Sequence, residues 1–339
     1  MKIGNRDIGE GQACFVIAEA GINHNGDIDK AKMLIDAAAT CGADAVKFQT
    51  HLPEKEMLRD SVTAAYVGES LFDLLKRVEL SREDHAELKG HATNKGILFL
   101  STPFSREAVE LLEEIGVPAY KVGSGEMTNF PLLKHIANKK KPMIISTGMS
   151  TFQEIEETVS FIKKYNNDLI LMHCTSTYPT RYEDVNLKVI EKLRQHFGIP
   201  VGLSDHSAGI YTALAAVALG ACMIEKHFTI KRSWPGPDQK ASITPGELKE
   251  LVKGIRAIEK ALGSIKKVAD DEMPVQRMAR ESVVSLVDIR KGTVIEENMV
   301  WVKRPGTGIP AKYLGEVIGK KAKQDIAANS VITWEDLNG

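Results

Sequence analysis

The chain has 339 residues, 43% hydrophobic and 26% charged, and its 44 Lys plus Arg against 45 Asp plus Glu leave a net charge of −1. That composition suits one large globular α/β domain with a small second one, and it excludes a fibrous repeat or a disordered chain. It also excludes an overall basic field for nucleic acid or a membrane surface, so any anion site must be local.

In chain order, the N-terminal stretch MKIGNRDIGEGQ is polar and lacks the apolar core of an export signal. Strand-like runs then recur at 14–20, 44–50, 97–102, 119–124, 143–148, 169–175, 201–205 and 222–229. Helical patterns separate them, among them 29–40, 106–115, 152–164, 187–197 and a segment opened by Ser207 and closed by Gly220; another, 245–262, follows the eighth strand. Eight apolar strands, each followed by a helix, predict a (β/α)8 TIM barrel of the α/β class, with a doubly wound open sheet as the alternative. The second connection, 51–95, is longer than the rest and carries a helix over 69–78 and a second opened by Ser81 with Asp84 three residues on. It reads equally as a lid or as a decorative insertion. The eighth connection, 230–245, is stiffened by Trp234, Pro235 and Pro237 and is expected over the barrel mouth.

After Leu262 the texture changes. The expected division is a barrel at 1–265, a linker at 266–280 and a small, mostly β domain at 281–339 with turns at Lys291-Gly292 and Pro305-Gly306. Cys14, Cys41, Cys174 and Cys222 show no metal-ligand spacing, which predicts reduced, buried thiols and a cytoplasmic protein. No apolar run is long enough to span a bilayer.

Active sites of such folds gather at the carboxyl ends of the strands. His206 and His227 end strands seven and eight, and adjacent parallel strands bring them close enough to hold one metal ion through imidazole; two ordinary polar residues are the alternative. Ser204, Asp205, Glu225 and Lys226 crowd the same ends, while His173 and Thr175 close strand six. Lys47 and Lys121 interrupt otherwise apolar strands, which is costly without a partner. They fit either a buried ion pair with Glu19 or Glu225 or, with the hydroxyls of Thr102, Ser124, Ser146 and Ser204, a phosphate or carboxylate site. Neither GxxxxGK[ST] nor GxGxxG occurs, so a small phosphorylated acid fits better than a nucleotide.

The segments IAEAGINHNGD (17–27), VKFQT (46–50), STPFS (101–105), YKVGSGE (120–126), STGM (146–149), CTSTYPT (174–180), GLSDH (202–206), EKHFT (225–229) and GPD (236–238) resemble, in order, the motifs of the sialic acid synthase family. The last segment, with WVKRPGTG (301–308), resembles that family's antifreeze-like SAF domain of β-clip type. The resemblance implies a barrel plus SAF domain in a homodimer, each SAF domain covering the partner subunit's barrel. It further implies condensation of phosphoenolpyruvate with an N-acylated hexosamine. N-acetylmannosamine giving N-acetylneuraminate is the leading expectation, and N,N′-diacetyllegionaminate or pseudaminate synthesis from a diacetamido sugar is the alternative. By motif it assigns His206 and His227 to a divalent metal, chiefly Mn²⁺ with Mg²⁺ or Co²⁺ as alternatives. Lys47, Thr102, Lys121, Ser124, Ser146 and Ser204 fall to phosphoenolpyruvate, Glu126, Tyr178 and Asp238 to the sugar, Arg304 to its N-acyl group, and Glu19 to an active-site carboxylate. Ser176 and Gln239 depart from the family pattern, where Asn and His are common, and leave the sugar open. Lys231, Arg232 and Arg181 are the candidates for a sugar 6-phosphate. An aldolase using free pyruvate and a non-enzymatic ice- or carbohydrate-binding protein are the remaining readings.

Overall fold

Strands buried on both faces must be apolar nearly throughout, and the eight predicted runs meet that condition. In the computed structural model, which describes residues 1–59 and 70–338, they form β1 (Phe15–Gly21), β2 (Ala45–Thr50), β3 (Leu98–Pro103), β4 (Tyr120–Val122), β5 (Met143–Ser146), β6 (Leu169–Cys174), β7 (Val201–Asp205) and β8 (Met223–His227). All pairings are parallel, in the spatial order β3-β2-β1-β8-β7-β6-β5-β4. Because β3 and β4 pack side by side, the sheet curls into the predicted (β/α)8 barrel rather than a doubly wound open sheet. Two apolar layers hold it: Leu34, Ile35, Leu88, Leu112, Leu133 and their neighbours between sheet and helices, and Phe15, Ile17, Leu100, Ile144 and Met223 inside the barrel.

A short hairpin, Lys2–Ile3 with Arg6–Asp7, precedes β1 and buries Ile3 and Ile8 against the inner layer. The periodicity missed it because two-residue strands leave no pattern. It packs against the amino-terminal end of the barrel, so chemistry is left to the opposite rim.

Capping chemistry sets several helices. Ser81 and Asp84 form the predicted capping box at Arg82–Asn94, Thr151 and Glu154 form another at Phe152–Ile162, and Ser105 caps Arg106–Ile115. The helix expected from Ser207 begins later, as α1 (Tyr211–Ala218), because Ser207 is held in the turn after β7 by bonds to Asp205, Thr212 and Lys226. In the long second connection the helix expected over 69–78 runs Leu71–Val78; its first residue and the stretch 60–69 lie outside the described residues, so the lid reading rests partly there.

The chain divides into units Met1–Gly263 and Ser264–Gly339. The stretch read as linker holds a helix, Glu272–Ala279, within the second unit. There β9 (Ser282–Ser285) pairs antiparallel with β10 (Val300–Lys303) over a core of Val283, Ile289, Ile295, Val300, Ile309 and Ile332. Among the described residues no helix is long and apolar enough to cross a membrane.

Candidate active site

Alternation along β8 turns Glu225 and His227 toward the barrel interior and Lys226 outward. The ladder places Ser204 of β7 beside Glu225, and Glu19 of β1 between His227 and Lys47 of β2. Four buried charges meet there. Lys47 Nζ lies 2.7 Å from Glu19 Oε2 and 3.7 Å from Glu225 Oε2, while Lys121 Nζ lies 3.7 Å from Glu225 Oε1. Lys47 donates to Thr102 Oγ1 (3.0 Å), Lys121 to Ser146 Oγ (2.6 Å) and Ser204 Oγ to Glu225 Oε1 (3.1 Å). The ion-pair alternative is thus present, and the same ammonium groups sit among the hydroxyls of the anion-site reading.

Charge balance keeps this cluster tolerable in a dry interior. Burial disfavours the Glu225 carboxylate, but Lys121 and Lys47 outweigh it and hold its pKa below the ordinary value. At Glu19 burial wins over Lys47 and pushes the carboxyl up to about 7. Burial also lowers Lys121. Glu126, in the turn Ser124–Glu126 after β4, has Oε2 buried without a hydrogen-bond partner, and burial raises its carboxyl to about 7.

A second group of side chains adjoins the histidines. His206 Nδ1 donates to Thr175 O at 2.9 Å, which leaves Nε2 as the free ring nitrogen. The His206 and His227 rings lie 5.3 Å apart, with the Tyr178 ring 4.2 Å from the first and 5.5 Å from the second. His227 Nδ1 is buried without a hydrogen-bond partner, 3.7 Å from Asp238 Oδ2, and burial holds the ring well below the ordinary histidine pKa. Two imidazoles on adjacent strand ends, each with a ring nitrogen not engaged by the protein among the described residues, fit a transition-metal ion. No cluster of three or more His, Cys, Asp or Glu with metal-site geometry occurs among the described residues. Cys174 Sγ bridges toward His206 Nδ1 (3.8 Å), Ser176 Oγ (3.7 Å) and Ser124 Oγ (3.5 Å). Gly148 lies close beside them: a Cβ there would meet Ser176 Oγ at 2.2 Å and Ser124 Oγ at 2.7 Å, so both hydroxyls would have to turn away.

The structure therefore gathers Glu19, Lys47, Thr102, Lys121, Ser146 and Ser204 in one cluster and Ser124, Ser176, Tyr178, His206, His227 and Asp238 in the adjoining one. Arg304 belongs to the second unit. Four residues noted in the sequence lie away from these clusters or take another role. Asp205 and Lys226 pair with each other on the outer side of the sheet, and His173 Nε2 bonds Val185 O there, because odd–even alternation points them away from the barrel. Gln239 is buried with its amide donating to Asn23 O and Pro235 O, so it braces the eighth connection. Glu225, read as one of the residues crowding the strand ends and as a possible lysine partner, is central; its spacing of two from His227 on one strand was the signal that sets it inward. Gln49, whose amide donates to Glu19 Oε1 at 3.1 Å, was legible in the same way from Lys47.

The model of the NeuB family matches residues 34–267 and that of the SAF domain matches 280–338. An N,N′-diacetyllegionaminic acid synthase of Legionella pneumophila is 42% identical over 97% of this chain and 96% of its own length. A human N-acetylneuraminate-9-phosphate synthase is 38% identical over 97% of this chain and 94% of its own. Among solved structures, the N-acetylneuraminic acid (sialic acid) synthetase of Leptospira borgpetersenii, 38% identical, superimposes with a TM-score of 0.73 over 81% of this chain and 94% of that one.

Proposed function

Because the chain belongs to the NeuB family and carries a SAF domain, we propose that it condenses phosphoenolpyruvate with N-acetylmannosamine to give N-acetylneuraminate and phosphate. The observation that carries this reading is the pair Lys47 and Lys121, both buried at 3.7 Å from one Glu225 carboxylate, beside His227 with an unpartnered buried Nδ1 and His206 engaged through Nδ1 alone among the described residues. Two ammonium groups and converging hydroxyls suit a small substrate with both a phosphate and a carboxylate.

C3 of the enol attacks the sugar's aldehyde carbon, water adds at C2, and phosphate leaves with cleavage of its C–O bond. Lys47 and Lys121 hold the phosphate and carboxylate while negative charge builds, with Thr102, Ser124, Ser146 and Ser204 donating hydrogen bonds. A divalent ion held by His206 and His227, Mn²⁺ with Mg²⁺ or Co²⁺ as alternatives, would supply Lewis-acid polarisation of the sugar carbonyl. Glu19 or Glu126 takes the proton from the attacking water; carboxyls raised to about 7 are matched to that task at neutral pH. Ser176, Tyr178 and Asp238 orient the sugar. Arg304, carried by the SAF domain of a second subunit in a homodimer, reaches its N-acyl group.

Of the candidates for a sugar 6-phosphate, Arg232 is paired with Glu247 at 2.6 and 2.8 Å and Arg181 with Asp184 at 2.8 Å, exposed pairs that a phosphate could displace. The Legionella relative supports a second reading, a diacetamido-6-deoxy hexose giving N,N′-diacetyllegionaminate. Phosphate release from phosphoenolpyruvate with Mn²⁺ tests both, with N-acetylmannosamine, its 6-phosphate and 2,4-diacetamido-6-deoxymannose compared side by side. Preference for the first supports the leading reading, and preference for the third moves the chain to the second. Turnover of free pyruvate without phosphate release would overturn both in favour of an aldolase.

A further inference from the structure

Behind the two histidines, on the outer side of the sheet, Lys226 is 1% exposed and its ammonium has three acceptors: Asp205 Oδ2 at 2.8 Å, Ser207 O at 2.7 Å and Asp205 O at 3.4 Å. Asp205 is equally enclosed. Its Oδ1 accepts from Ser207 N (2.9 Å) and its Oδ2 also accepts from Thr212 Oγ1 (2.6 Å) on α1, while Ser207 Oγ and Thr212 Oγ1 lie 2.5 Å apart. In sequence each member of this pair immediately precedes a site histidine, Asp205 before His206 and Lys226 before His227. The ladder sets the two opposite each other, in register, at the carboxyl ends of β7 and β8.

We propose that the Lys226–Asp205 pair is the positioning device for the histidine pair, fixing both imidazoles through the backbone on which they stand. The inference rests on the reading of His206 and His227 as ligands of one ion. Alternation sends Lys226 outward and His227 inward from adjacent residues, so whatever fixes the ammonium fixes the outset of the His227 side chain. On β7 the argument is tighter. Lys226 binds the carbonyl of Ser207 and Asp205 binds its N–H, so the residues on both sides of His206 are tied to one buried charge. The remaining freedom of His206 is taken by Thr180 N, which donates to its carbonyl at 2.9 Å, and by Thr175 O, which accepts from its ring. An apolar pair of like volume would fill the same space without loss of packing, and buried ion pairs are often replaceable in this way at no cost in stability. What it would lack is direction: the Ser207 carbonyl would lose its charged donor and the Ser207 N–H its acceptor, and the turn carrying His206 would no longer have one conformation. Beyond satisfying these buried groups, the charge pair gives the turn its direction, which an apolar pair would not.

The test separates those two roles in the full-length protein, reading Mn²⁺ dissociation constants from the EPR signal of the free ion and melting temperature from circular dichroism. Lys226→Met alone strands a buried carboxylate and is expected to lower both metal affinity and melting temperature. In the double variant Asp205→Leu/Lys226→Met, which strands no charge but leaves the Ser207 N–H and carbonyl without these partners, the melting temperature recovers part of the loss seen in Lys226→Met while Mn²⁺ binding stays at least tenfold weaker. A double variant that is stable and binds Mn²⁺ as wild type does would overturn the inference. Should the double variant not fold, Thr212→Val, which takes a single hydroxyl from Asp205, replaces it. A dissociation constant raised threefold or more at unchanged melting temperature then supports the pair's positioning role, and an unchanged constant overturns it. Wild-type protein that binds Mn²⁺ no better than His206→Ala would overturn the ligand reading and this inference together, a result distinct from failure of the pair alone.

Discussion

Lys47 of β2 and Lys121 of β4 share one carboxylate: each ammonium lies 3.7 Å from a different oxygen of Glu225, and neither is more than 3% exposed. Among the described residues Lys47 alone of the two has a second carboxylate, Glu19 at 2.7 Å. Lys121→Met is therefore expected to cut kcat/KM for phosphoenolpyruvate by about 100-fold or more, the scale of roughly 3 kcal/mol for truncating one member of a buried charge contact. Sugar KM should move far less. Steady-state phosphate release checks this, and equal losses for both substrates would count against a phosphoenolpyruvate role.

Glu126 predicts a pH dependence of stability. Its carboxyl is raised from 4.5 to about 7 by burial, so between those values the folded protein holds a proton that the unfolded chain has lost. The stability is full below about pH 4.5 and is lost as pH rises through 7. Glu126→Gln cannot ionise and lacks this slope. At pH 8 it should be more stable than wild type by at most about 3 kcal/mol, with little difference at pH 5. Melting temperatures of both proteins at the two pH values decide it.

His206→Ala and His227→Ala are each expected to abolish phosphate release while circular dichroism shows a folded barrel. Removing metal from the wild type with a chelator should have the same effect, reversed by Mn²⁺. Full turnover in either variant would remove the histidines from the mechanism.

Arg304→Ala should raise sugar KM about tenfold or more, the loss of one charged hydrogen bond, with phosphoenolpyruvate KM unchanged. Unchanged sugar KM would remove the SAF arginine from the proposed site. Sedimentation of the wild type tests the proposed homodimer in parallel.

Much of the barrel was legible along the chain because parallel strands buried on both faces must be apolar throughout, and eight such runs between helices admit few architectures. The ordered motifs likewise named the residues of the rim, since Lys47 and Lys121 in apolar strands need partners wherever they are placed. What the sequence left open is which partner each group meets. Lys226 and Glu225 are neighbours of similar cost, and only the pleat turns one inward to the lysines and the other outward to Asp205. Ser207 looks like a helix cap until Asp205, Lys226 and Thr212 claim it, and Gln239 shows in the sequence only as a departure from the family pattern until the loop gives it Asn23 and Pro235 as partners. The hairpin at Lys2–Ile3 was too short for any periodicity to show. Local pattern fixes which residues must be buried, while the partners of a buried polar group come from strands distant in sequence, and register and pleat choose them.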